Sequence, residues 1–105
     1  MSDEVNTARL VVQVDRDLAG IVPTYLENRR KDVVLITDML ERGEFDAARV
    51  LGHRMKGSGA GYGFADISSI GARMEQAARE TSQAELAACV AELTAYLDRL
   101  DIVYA

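Results

Sequence analysis

Five stretches of the chain place inward-facing side chains at helical spacing, and short polar or glycine-containing segments separate them. Steps of three and four residues bring one side chain per turn to the same face, so each stretch predicts an amphipathic helix. The positions on these faces are Leu18, Ile21, Val22, Tyr25 and Leu26; Val33, Ile36, Met39 and Leu40; Ala47, Leu51, Met55, Ser58 and Tyr62; Ile67, Ile70, Met74, Ala77 and Ala78; and Leu86, Val90, Leu93, Leu97, Leu100 and Tyr104.

The first two predicted helices have recognisable starts and stops. Asp15 or Asp17 can cap the first helix, and Pro23 either begins its main part or kinks it. The polar cluster 27–32 predicts the join to the second helix, which ends at Gly43.

The third predicted helix begins near Glu44 and ends around Gly61–Gly63, although glycines at 57 and 59 weaken its last part. Thr81-Ser82 separates the fourth helix from the fifth. Short connections favour packing between sequence neighbours, so we predict an all-α fold. We expect successive helices to be up-and-down neighbours in an antiparallel bundle.

A short apolar run precedes the helices. Leu10–Val14 is rich in β-branched residues and alone would be a strand, but we find no second strand to pair with it. The sequence therefore predicts an extended, partly flexible amino-terminal arm over residues 1–16 and a helical bundle over 17–105. The arm either packs on the bundle or makes an intermolecular contact, which leaves a monomer and a dimer through the arm both open.

Composition narrows the class of protein. The chain has 105 residues, of which 49% are hydrophobic and 28% charged, and this balance is typical of one soluble domain. A net charge of −5 disfavours binding to nucleic acid or to an anionic membrane. Cys89 is the only cysteine and lies in an apolar helical pattern, so we expect a buried thiol and no disulfide. We find neither a membrane span nor a signal peptide and expect a cytoplasmic protein.

The chain has one histidine, His53, in the third predicted helix. A helical wheel places it roughly 160–200° from the inward stripe, on the same outer face as Arg49, Lys56, Gly57 and Ala60. The sequence therefore predicts an exposed imidazole, one turn from an ammonium group and beside a residue without a side chain.

Three common roles of a histidine lack a required partner here. A metal site needs several ligands, and the chain has no second histidine. A hydrolytic triad needs an adjacent nucleophile, but Ser58 falls on the inward stripe. The order Lys56-Gly57 on a helical pattern is also wrong for a phosphate-binding loop, which needs a glycine before the lysine and a preceding strand.

A nucleophilic role needs only groups that are present. A neutral imidazole can attack a phosphoryl group, and the product carries about two negative charges. Lys56 can screen that charge, Arg49 can add to the screening, and Gly57 leaves clearance for the phosphoryl group.

The segment His53-Arg54-Met55-Lys56-Gly57-Ser58, followed by Gly63, resembles the pattern H-x-[LM]-K-G-S…G of histidine-containing phosphotransfer (HPt) domains. The resemblance extends from about Leu18 to Leu100. It implies a four-helix bundle with an extra amino-terminal helix and reversible phosphorylation of His53. It further implies that Lys56 supports the phosphohistidine and Gly57 keeps the site open.

The resemblance implies partners rather than a self-sufficient enzyme. Such modules have no ATP site and no kinase activity of their own, so we expect no cofactor on this chain and magnesium on the partner. The expected partners are response-regulator receiver domains and a hybrid histidine kinase, contacted through small residues such as Gly52 and Ala60, with Arg49 beside them. Two alternatives remain: a module that sequesters or dephosphorylates receivers, and a non-catalytic dimerising bundle.

Overall fold

The computed structural model describes residues 8–105, and these form four α-helices and a pair of short strands. The elements in chain order are β1 (Leu10–Val14), a 3-10 turn (Arg16–Leu18), α1 (Val22–Arg42), α2 (Phe45–Ser58), a second 3-10 turn (Ala60–Tyr62), α3 (Ala65–Arg79), α4 (Gln83–Arg99) and β2 (Leu100–Tyr104). The predicted helical bundle is thus present. Its up-and-down antiparallel order stays a prediction.

One helix, α1, replaces the first two predicted helices. Pro23 lies in its first turn, where no backbone donor is lost, and Gly43 ends it with a φ of 69°. Between them the sequence has neither glycine nor proline, so the polar cluster 27–32 continues the helix instead of breaking it. The predicted join was wrong. Residues 8–105 therefore form four α-helices, and the additional amino-terminal helix stays unconfirmed.

The predicted arm is a strand, and its partner is the carboxyl-terminal end of the chain. β1 and β2 pair in parallel, with Leu10 opposite Leu100 and Val14 opposite Tyr104. A parallel pair needs a long crossover connection, and here the whole bundle supplies it. The prediction that no second strand exists was wrong, as was the assignment of Leu100 and Tyr104 to the last helix. Residues 1–7 of the predicted arm lie outside the described residues.

The core is a single hydrophobic cluster between the four helices, and apolar residues of both strands pack against it. Each helix packs against two others, in the order α1, α2, α3, α4 and back to α1. Phe64, Ile67, Met74 and Leu93 are fully buried, and Cys89 is buried too, as predicted. None of the helices in residues 8–105 has the length and apolarity to cross a membrane.

Candidate functional site

His53 lies in the third turn of α2, and its side chain is 64% exposed, as the wheel predicts. The inward face of α2 is, however, rotated from the predicted stripe. Ala48, Gly52 and Met55 are buried, whereas Ala47 is exposed. The stripe was misplaced because a glycine carries no side chain to count, although its backbone can form the tightest contact of a helix.

The contact between α2 and α3 depends on two glycines. A Cβ on Gly52 would lie 2.9 Å from the carbonyl oxygen of Gly71, and a Cβ on Gly71 would lie 2.8 Å from that of Gly52. No real side chain tolerates such distances, so the two backbones touch only because both residues are glycine. Gly52 is therefore a packing residue, and its predicted contact with a partner protein stays a prediction.

This close approach brings a carboxylate of α3 into contact with His53 and Lys56 on α2. Glu75 follows Gly71 by one turn, and its Oε2 lies 3.1 Å from Nδ1 of His53. Its other oxygen, Oε1, lies 2.9 Å from Nζ of Lys56. Arg79, one turn further along α3, places an amino group 3.0 Å from Oε2. The carboxylate therefore joins the imidazole to two cations.

Glu75 is held in its ionised form. Its side chain is only 7% exposed, and burial by itself disfavours a charge. The hydrogen bonds from Lys56 and Arg79 outweigh that cost and, with a smaller contribution from His53, lower the pKa of Glu75 to about 2. At neutral pH the carboxylate is therefore a hydrogen-bond acceptor only.

An ionised Glu75 determines which nitrogen of His53 can react. Because the carboxylate only accepts, Nδ1 of the imidazole must carry the proton and donate it to Oε2. In the neutral ring the lone pair is then on Nε2, the nitrogen that makes no bond to Glu75. The contact also restricts ring rotation, so the site presents one nucleophilic nitrogen in a defined direction.

The other predicted site residues lie on α2 or in the 3-10 turn after it. Lys56 is 45% exposed and contacts Glu75. A Cβ on Gly57 would meet no atom within 4 Å, so this side of the helix is open. Arg49 lies one turn before His53 and is partly buried. Ala60 is exposed but lies in the 3-10 turn after α2, because the helix ends at Ser58 and not at 61–63.

Ser58 belongs to the packing between α1 and α2. Its Oγ lies 2.8 Å from the hydroxyl of Tyr25, whose ring stacks on Tyr62 at a centroid distance of 4.1 Å. The Ser58 hydroxyl is therefore engaged in a contact with α1, and the prediction that it is no nucleophile stays a prediction. Within residues 8–105, no group of three acidic, histidine or cysteine side chains is arranged for a metal ion.

The sequence interpretation missed Glu75 and Arg79. A signal for Glu75 was available: it lies four residues after Gly71 and three before Ala78, which places a carboxylate on the inward face of α3. Acidic residues are almost never fully buried without a partner, so this position indicated a paired carboxylate. Its partners on α2 could not be predicted from the sequence, because their contact with Glu75 depends on the close approach of Gly52 and Gly71.

The fold and the site agree with a comparison against protein families. The profile of the Hpt domain matches residues 20–102, which is most of the chain. The chain belongs to the Hpt domain family, whose members carry out histidine phosphotransfer in two-component phosphorelays. Neither the curated proteins nor the solved structures contain a significant match to the chain.

Proposed function

We propose that this protein is a phosphorelay intermediate that carries the phosphoryl group on Nε2 of His53. The hydrogen bond from Nδ1 of His53 to Glu75 is the observation that supports this most directly, because it leaves the exposed nitrogen with the lone pair. His53 is also the only histidine of the chain, so histidine phosphotransfer has one candidate acceptor.

The donor in this proposal is an aspartyl phosphate on a receiver domain. The Nε2 lone pair attacks phosphorus, the bond from phosphorus to the aspartyl oxygen breaks, and its electron pair stays on the released carboxylate. The ring becomes a phosphorylated imidazolium that keeps its Nδ1 proton. Glu75, whose carboxylate accepts that proton's hydrogen bond at 3.1 Å, compensates the new positive charge. Transfer to a second receiver is the reverse of these steps.

Lys56 and Gly57 serve the phosphoryl group in this proposal. Lys56 follows His53 by three residues on α2, so its ammonium group is within one helical turn of the imidazole. Apart from its own helix backbone, no atom lies within 4 Å of the position that a Cβ on Gly57 would occupy, which leaves room for the phosphoryl oxygens. The chain itself needs no cofactor, since magnesium on the receiver neutralises the transferring group and the leaving carboxylate.

The partners are response-regulator receivers and a hybrid histidine kinase, and a cytoplasmic location goes with them. We expect a receiver to dock on the exposed face of α2 at His53, with Arg49 one turn before it and Ala60 in the 3-10 turn after the helix. Val50 lies on the same side and is 39% exposed, which adds an apolar contact.

Mixing the protein with a phosphorylated receiver domain tests the proposal. We expect an acid-labile, base-stable phosphoryl adduct on the wild type and none on His53→Gln, a variant that retains the exposed position and should fold normally. An undiminished adduct on the variant, or none on the wild type, would refute it. Adding a second receiver then distinguishes a carrier, which passes the group on, from a module that only sequesters or dephosphorylates its partner.

A further inference from the structure

Arg79 contacts the site only through Glu75. It lies in the last turn of α3, four residues after Glu75, and its amino group is 3.0 Å from Oε2. That oxygen also accepts the hydrogen bond from His53, whereas Lys56 contacts the opposite oxygen, Oε1. The two cations thus bind different oxygens of one carboxylate, and either can leave while the other remains.

Phosphorylation of His53 creates a competition for Lys56. A phosphoryl group brings about two negative charges close to Glu75, and Lys56 is the cation that both groups need. With Lys56 turned away and Arg79 absent, the Glu75 carboxylate, which is only 7% exposed, would retain just its bond to the phosphorylated ring. An ionised group so deeply buried becomes less favourable with each cation that it loses.

We propose that Arg79 is a positioning residue that keeps Glu75 paired and so releases Lys56 to the phosphoryl group. The inference rests on the proposed phosphorylation of His53. Arg79 itself does not touch the reacting atoms. It remains the side-chain cation of Glu75 once Lys56 turns to the phosphoryl group, and it holds the carboxylate that orients the ring.

The chain offers a closely matched control in Arg42. Arg42 also lies in the last turn of its helix, is also more than half exposed, and also pairs with a carboxylate four residues earlier, that of Asp38. Neither member of that pair contacts His53, Lys56 or Glu75. Arg42→Gln therefore reproduces the loss of a helix-terminal charge and of an ion pair but leaves the contacts of His53, Lys56 and Glu75 unchanged.

The experiment uses phosphoramidate, a small phosphoryl donor, so that no receiver is needed. The second ionisation of the phosphohistidine is followed by ³¹P NMR across a pH titration. In Arg79→Gln we expect the phosphoryl group to bind its proton about two- to fivefold more tightly than in the wild type, since Lys56 stays on Glu75. Arg42→Gln should match the wild type, and Arg79→Lys should recover at least half of the change.

A double-mutant cycle with Lys56→Gln supplies the decisive readout. If Arg79 acts by releasing Lys56, the effect of Lys56→Gln on the titration must shrink in the Arg79→Gln background. Additive effects, an Arg79→Gln titration equal to that of Arg42→Gln, or an Arg79→Lys variant as altered as Arg79→Gln would overturn the inference. A wild type that takes no phosphoryl group from either phosphoramidate or a receiver would instead refute the proposed function, and the inference with it.

Discussion

Two carboxylates, one on α1 and one on α3, are buried to nearly the same extent, yet their surroundings shift their pKa values in opposite directions. Counted over the whole residue, Asp32 on α1 is 7% exposed and Glu75 on α3 is 6% exposed. Burial raises the pKa of Asp32 above 3.8, and its ion pair with Arg29 at 2.8 Å only partly offsets this. Hydrogen bonds from Lys56 and Arg79 instead lower the pKa of Glu75 to about 2.

The difference shows that the partners of a buried acid decide its state. Asp32 and its principal cation are three residues apart on one helix, so their pairing needs no second helix. Glu75 draws His53 and Lys56 from a different helix, and it can do so only because α2 and α3 touch at Gly52 and Gly71. The α1 side therefore contains a local pair, and the α3 side contains a site assembled by tertiary contact.

Separating α2 from α3 should have the largest effect. In Gly71→Ala the new methyl group would lie 2.8 Å from the carbonyl oxygen of Gly52, so the helices must move apart. We expect a loss of about 1–3 kcal/mol in the free energy of unfolding, measured by urea denaturation. Gly57→Ala is the control, because its methyl group meets nothing and alanine favours a helix by about 0.5–1 kcal/mol. Equal stability of the two variants would contradict the close contact.

Replacing each buried acid by its amide should show that Glu75 contributes more to thermal stability than Asp32 does. Glu75→Gln leaves Lys56 and Arg79 without their carboxylate, so we expect a clear fall in the melting temperature at pH 7. Asp32→Asn removes a charge whose burial is already unfavourable, and its melting temperature should fall less. Thermal unfolding followed by circular dichroism compares them, and an Asp32→Asn variant that is the less stable of the two would reverse our interpretation.

Glu75 and Asp32 should also make the free energy of unfolding depend on pH with opposite signs, although these effects are smaller. Because the folded pKa of Glu75 is below its usual 4.5, its contribution is complete above about pH 4.5 and is lost as the pH falls towards 2. Asp32 has the opposite sign, since its raised pKa means that stability declines as the pH rises from 3.8 through the folded value. Urea unfolding between pH 2 and 6 measures both.

In that titration, Glu75→Gln should lose less stability than the wild type as the pH falls below about 4.5. The Asp32→Asn variant should approach the wild type in stability at higher pH, where the ionised Asp32 is a disadvantage. Parallel curves for the wild type and both variants would show that neither carboxylate changes its ionisation on folding.

Local signals in the sequence were sufficient for much of the fold. Gly43 ends α1 with a φ of 69°, a conformation that glycine adopts readily. Ser82 caps the start of α4, where its hydroxyl accepts a hydrogen bond from the backbone N–H of Glu85. The strand at Leu100–Tyr104 was missed because its inward residues fit two periods. Leu100 and Tyr104 continue the four-residue spacing of α4, but Leu100, Ile102 and Tyr104 also alternate as in a strand.

The sequence by itself determined the exposed imidazole of His53 and the open position at Gly57, because each depends on residues within a few turns of one helix. Only the tertiary structure decided which nitrogen of His53 is free. That choice depends on Glu75, which lies 22 positions away along the chain and 3.1 Å away in space. Contacts of this kind are set by how closely two helices approach, and no periodicity within either helix encodes that distance.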